Sequence, residues 1–89
     1  MKIDFDPEKD AANLEKHGVS LADARRLDWD EMIWWPDTRR NYGEDRCVGV
    51  APIGNRLFVV VYVDRNPARR IISLRKANER EVRLYAQSA

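Results

Sequence analysis

Cysteine occurs once in this 89-residue chain, at Cys47, and histidine once, at His17. A lone thiol excludes an internal disulfide, and the pair supplies no zinc-type ligand cluster, so neither a metal nor a cofactor is expected. Cys47 reads as a small strand residue. Long apolar runs are missing as well: the longest, Leu57 to Val63, has seven residues, where a membrane helix needs about 20. No apolar segment follows Met1-Lys2-Ile3-Asp4 to form the core of a secretory signal, so a cytoplasmic location is expected. Lysine is scarce, with four against twelve arginines. The basic character therefore lies in planar guanidinium forks, which suit bidentate phosphate contacts better than ammonium groups do. No repeat, low-complexity tract or long linker divides the chain, which reads as one domain over residues 1–89.

What is present describes a soluble globular protein: 44% hydrophobic and 35% charged residues. A chain of this size buries roughly 60 to 65% of its unfolded surface, which limits it to one modest core. The net charge of +1 conceals a polarity. Residues 1–45 hold seven Lys/Arg against twelve Asp/Glu, a net of −5, and residues 46–89 hold nine against three, a net of +6. Either the C-terminal half is a polyanion-binding surface, or the two halves neutralise each other within one fold.

Asp6-Pro7-Glu8 opens a first helix, with Asp6 as N-cap and Pro7 at the first helical position, and Gly18 ends it. Ala11 and Leu14, joined by Asn13 and His17, form its narrow inward stripe. Ser20 followed by Asp23 resembles a capping box for a second, shorter helix reaching Leu27 or Asp28. Met32 to Trp35 is expected as a short strand closed by Pro36, and residues 36–45 as a loop dense in turn formers. Arg46 to Ile53, Leu57 to Val63 and Arg69 to Arg75 then read as an antiparallel meander turned at Gly54-Asn55 and at residues 64–67. Asn78 and Glu81 cap a final helix. The expected class is α+β: two N-terminal helices, a small antiparallel sheet of about four strands, and a C-terminal helix.

Strict alternation along the last strand places Arg69, Ile71, Ser73 and Arg75 on one face and Arg70, Ile72, Leu74 and Lys76 on the other. Ser73 is then either part of a functional surface or a solvated strand position. Histidine has the intrinsic pKa nearest neutrality and suits acid/base work, yet His17 and Lys16 also fit a plain role at a helix C-terminus. Glu81 reads as the cap partner of Asn78, and Tyr85 as a core-edge aromatic. Trp29, Trp34 and Trp35 are concentrated for this length and suit a core or a protein interface more than base stacking.

Taken in order, Phe5-Asp6-Pro7-Glu8-Lys9, Asn13-Leu14-Glu15-Lys16-His17-Gly18-Val19-Ser20, Gly43-Glu44-Asp45-Arg46, Asp64-Arg65 and Arg70-Ile71-Ile72-Ser73-Leu74-Arg75-Lys76-Ala77, with Glu81 and Tyr85, resemble the BrnT toxin family. The resemblance runs end to end. It departs from the family pattern at residues 27–35, where Leu27-Asp28-Trp29-Asp30-Glu31 replaces a Phe-Asp-Asp type segment. It implies a RelE-like fold and RNA cleavage that arrests growth. It also implies neutralisation by a BrnA-like ribbon-helix-helix antitoxin, with DNA engaged only through that partner and a homodimer within the complex as a further option.

On that reading the chain is a metal-independent endoribonuclease in which the 2′-hydroxyl attacks the adjacent phosphorus. Arg65, Arg75 and Lys76 are candidates for phosphate charge. His17 leads for general acid/base work, followed by Tyr85 and Glu44, while Lys16, Arg70 and Arg80 would position RNA. The antitoxin is expected to be acidic where it covers residues 65–85. The alternative is a non-catalytic binding module that acts as a co-repressor partner in a DNA-bound complex.

Overall fold

The computed structural model describes residues 1–88. In chain order the elements are β1 (Lys2–Asp4), α1 (Pro7–His17), 3-10 segments at Leu21–Arg26 and Trp29–Glu31, β2 (Ile33–Pro36), β3 (Cys47–Ile53), β4 (Arg56–Arg65), β5 (Ala68–Lys76) and α2 (Glu79–Gln87). The strands form one sheet in the order β1-β5-β4-β3-β2. β1 runs parallel to β5 and the remaining neighbours are antiparallel.

This corrects the expected class in two places. The sheet has five strands and is mixed, because Lys2–Asp4 pairs with Ala68–Arg70. Three residues carry no periodic signal, and only a partner distant in sequence makes them a strand. The expected second N-terminal helix is a 3-10 segment with i→i+3 bonds from Asp23 N–H to Ser20 O and from Leu27 N–H to Ala24 O. Ser20 does cap it, accepting from Ala22 N–H, but its hydroxyl also donates to Asp10 Oδ1, which accepts Leu21 N–H as well. Tying the first turn to α1 in this way favours the tighter winding over six residues.

The meander forms as expected. Gly54 adopts φ +61°, the left-handed conformation a two-residue hairpin turn requires, between the paired Ile53 and Arg56. Along β4 and β5 the alternation is broken. Val61 pairs with Ser73 but Tyr62 pairs with Ile71, so Ile72 is a bulge residue. Ile71 and Leu74 therefore both enter the same core, with Ile3, Leu21, Ala24, Phe58, Val60 and Tyr62 beneath α1 and the first 3-10 segment. Burial of each of the larger aliphatic side chains contributes about 1.5–3 kcal/mol. Ser73 and Arg75 are turned to the opposite face, where Val48, Val50, Val59 and Val61 form a second, smaller cluster with Ile33, Trp35, Ile72 and Tyr85 packed on it.

α1 does not dock by an apolar stripe. Leu14 is 52% exposed, Ala11 is exposed, and Asn13 is the helix's buried residue. The Asn13 amide donates to Val19 O and Leu74 O, and its oxygen accepts from Leu74 N–H. Since β1 covers β5 only as far as Arg70, Asn13 takes the place of a neighbouring strand at Leu74. α2 has its expected capping box between Asn78 and Glu81. It is tied back by Tyr85, whose hydroxyl donates to Glu31 O at 2.6 Å.

Candidate nucleic-acid interface

The bulge decides what the second sheet face presents. Arg75 and Ser73 stand there beside Val59 and Val61 of β4 and Val48 of β3, lining a cavity of ≈ 330 Å³ with Trp35, Arg39 and Glu81. Arg75 is held in plane by Glu81 through two bonds of 2.8 Å. That carboxylate raises the Arg75 pKa, and the guanidinium in turn lowers that of Glu81. Glu81 thus serves two partners, because its Oε1 also accepts the Asn78 N–H of the helix cap.

Opposite Arg75 the cavity is walled by the loop between β2 and β3. Asp37 is its organising residue, with a side chain 1% exposed. Its N–H donates to Arg46 O at 2.8 Å, and its carboxylate accepts from Arg39 Nε and Nη2, each at 2.8 Å, and from the Tyr42 hydroxyl at 3.3 Å. The hydrogen-bonded Arg39 side chain outweighs the cost of burial and holds the Asp37 carboxyl at about 2. Arg46 lies 4.0 Å from the centre of the Tyr42 ring, closing the loop on itself.

A second cavity, ≈ 210 Å³, lies between α1 and the edge of β5, lined by Lys9, Asn13, Lys16, His17, Ile72 and Ser73. Ser73 borders both cavities. The cavity beside the C-terminal turn of α1 and the Arg75 cavity therefore adjoin at this one edge-strand residue. Residues 5–81 match the family described as "Ribonuclease toxin, BrnT, of type II toxin-antitoxin system".

The chain belongs to the BrnT toxin family. No curated protein gives a significant match. As a BrnT family member it is a ribonuclease toxin of a type II system, with an antitoxin protein as partner. Among the described residues no three His, Cys, Asp or Glu side chains come together to hold a metal ion. Nor is any helix among the described residues long and apolar enough to cross a membrane.

The BrnT fold gathers some of the sequence-predicted residues and scatters others. His17 and Lys16 line one cavity and Arg75 the other, with Ser73 common to both. Arg65 sits at the β4–β5 turn, bonded to Glu44 at 2.9 Å, and seven residues of strand, roughly 23 Å, separate that turn from Arg75. There the Arg65 guanidinium lowers the Glu44 pKa and the pair braces the loop end. Arg70 is bonded to Asp4 at 2.8 Å. Lys76 pairs with Phe58 and so leaves the strand on the face opposite Arg75. Arg80 is exposed on the first turn of α2, and Tyr85 is occupied by Glu31 and packed on the second cluster.

The tryptophans divide three ways. Trp29 caps the first core edge-on to Tyr62, Trp35 lines the Arg75 cavity, and Trp34 is 58% exposed. Arg39 and Asp37 line the candidate site and were missed by sequence reasoning, which weighed base stacking for Trp35 but favoured a core or interface role. An acid and an arginine two apart in a turn-rich loop have no helical or strand periodicity to mark them.

Proposed function

We propose that this BrnT family toxin is a metal-independent endoribonuclease that binds single-stranded RNA along the path from Lys16 and His17, past Ser73, to Arg75. The observation that supports this reading is that Ser73 borders both the cavity lined by His17 and the cavity lined by the fixed Arg75. RNA cleavage by the 2′-hydroxyl needs a proton removed, charge on the phosphoryl oxygens stabilised, and a proton delivered to the leaving 5′-oxygen. Arg75, immobilised by Glu81, supplies preorganised N–H donors for the phosphoryl oxygens. His17 takes the acid/base role, and Lys16 holds the neighbouring phosphate. The partner is a BrnA-like antitoxin, acidic where it covers this groove, and the setting is the cytoplasm.

The test is induction of the chain in bacteria without its antitoxin, alongside Arg75→Ala and His17→Ala. The parent should arrest growth and degrade RNA, and each variant should relieve both while melting near the parental temperature. A parent that leaves RNA intact, or two folded variants as toxic as the parent, would remove the site from this groove.

A further inference from the structure

The Arg75 cavity has a second guanidinium on its opposite wall whose arrangement stability does not explain. Arg39 is 72% exposed, whereas its partner Asp37 is 1% exposed. An ion pair with so exposed a cation contributes roughly 0 to 1 kcal/mol, and sinking its carboxylate into the protein works against it. Geometry explains it better. Asp37 takes Arg39 Nε and Nη2, so two of the five N–H donors are spent inward and the guanidinium plane is fixed in a side chain that borders the cavity. Arg39 and Arg75 line the same cavity, so their like charges oppose each other across it. Each cation is neutralised from its own side, Arg39 by Asp37 and Arg75 by Glu81, and both border the space between. An anion there would accept from both. The floor beneath is Val48, Val59 and Val61 with Trp35 beside it, an apolar platform next to the charges. The ≈ 330 Å³ volume is at the small end of ligand sites. It suits a single nucleotide unit, not a duplex.

We propose that Arg39 is a second phosphate-binding residue, aimed by Asp37, and that the cavity between Arg39 and Arg75 takes one phosphodiester of single-stranded RNA with its base over Trp35 and the valine floor. Asp37 is a positioning residue in this scheme. The proposal rests on the ribonuclease reading of this face.

The experiment uses the purified chain and a fluorescently labelled single-stranded RNA of mixed sequence, with binding followed across salt concentration and cleavage under single-turnover conditions. Arg39→Ala should lower the slope of log affinity against log salt by about 0.7, the value for one lost single-strand phosphate contact. It should slow cleavage about 100-fold, as loss of one preorganised donor does. Arg39→Lys should restore the slope but not the rate, because an ammonium keeps the charge and loses the planar fork. Asp37→Asn should keep the slope and lose rate, the mark of a guanidinium still present but no longer aimed. Thermal melts establish that each variant is folded, and the lysine variant keeps the test open should Asp37→Asn unfold. If Arg75→Ala loses binding and cleavage while Arg39→Ala retains both, the inference fails and the ribonuclease site stands. If both arginine variants cleave like the parent, the site itself is elsewhere and the inference falls with it. If Arg39→Ala weakens binding to an acidic antitoxin but leaves RNA binding unchanged, Arg39 belongs to a protein interface and the proposal is overturned.

Discussion

Replacing Asn13 by alanine removes the hydrogen bonds that seat α1 against the sheet. The amide serves three backbone groups: Val19 O at 2.8 Å, Leu74 O at 2.8 Å and Leu74 N–H at 3.2 Å. Leu74 is fully buried and Asn13 itself is 6% exposed, so water reaches these groups poorly once the side chain is gone. Each buried backbone group left without a partner costs about 1–3 kcal/mol, and taking the low end for all three gives a loss of about 3 kcal/mol. For a domain of this size each kcal/mol lowers the melting temperature by roughly 4–8 °C, so the variant should melt about 12–24 °C below the parent. Calorimetry or circular dichroism reads this directly. Asn13→Asp should be worse at neutral pH, because an acceptor would then face two carbonyl oxygens. A shift of under about 3 °C for Asn13→Ala would refute the reasoning and mean that water or a relaxed helix satisfies the edge of β5. Since α1 carries Lys16 and His17, a folded variant should also lose RNA cleavage faster than it loses far-UV signal as temperature rises.

Three further outcomes are expected. Cleavage should persist in excess EDTA, and activity abolished by chelation and restored by a divalent ion would overturn the metal-free scheme. Because the Asp37 pKa is depressed from 3.8 to about 2 in the folded state, the small contribution of its pairing with exposed Arg39, about 1 kcal/mol at most, is fully present above about pH 4 and lost as pH falls through about 2. Acid unfolding of Asp37→Asn should lack that component, and superimposable acid-unfolding curves for parent and variant would contradict the assignment. Reversing charge at Lys16 and Arg75 should weaken RNA and antitoxin binding together and flatten the salt dependence of both. An antitoxin bound as tightly as before while RNA is lost would place its docking surface elsewhere, with exposed Trp34 the next residue to substitute.

Much of the fold was legible because local chemistry decided it. Asp6-Pro7 and Gly18 bound α1, Gly54-Asn55 turns β3 into β4, and Asn78 with Glu81 starts α2, each through bonds or backbone angles set within a few residues. The valine-rich run became the buried strand its composition required. Family membership was legible too, carried by motifs in fixed order along the chain. Tertiary structure decided what depends on partners distant in sequence. Lys2–Asp4 is a strand only because Ala68–Arg70 is beside it, and Asn13 is buried only because the edge of β5 lies open at Leu74. The bulge at Ile72 is the sharpest case. With a period of two, one extra residue reverses every side chain beyond it, so Ile71 and Arg75, assigned to one face by alternation, lie on opposite faces. The register that inserts that residue is set by packing across the sheet. The order of amino acids along β5 does not encode it locally, and through it the fold determines which arginines meet at the site.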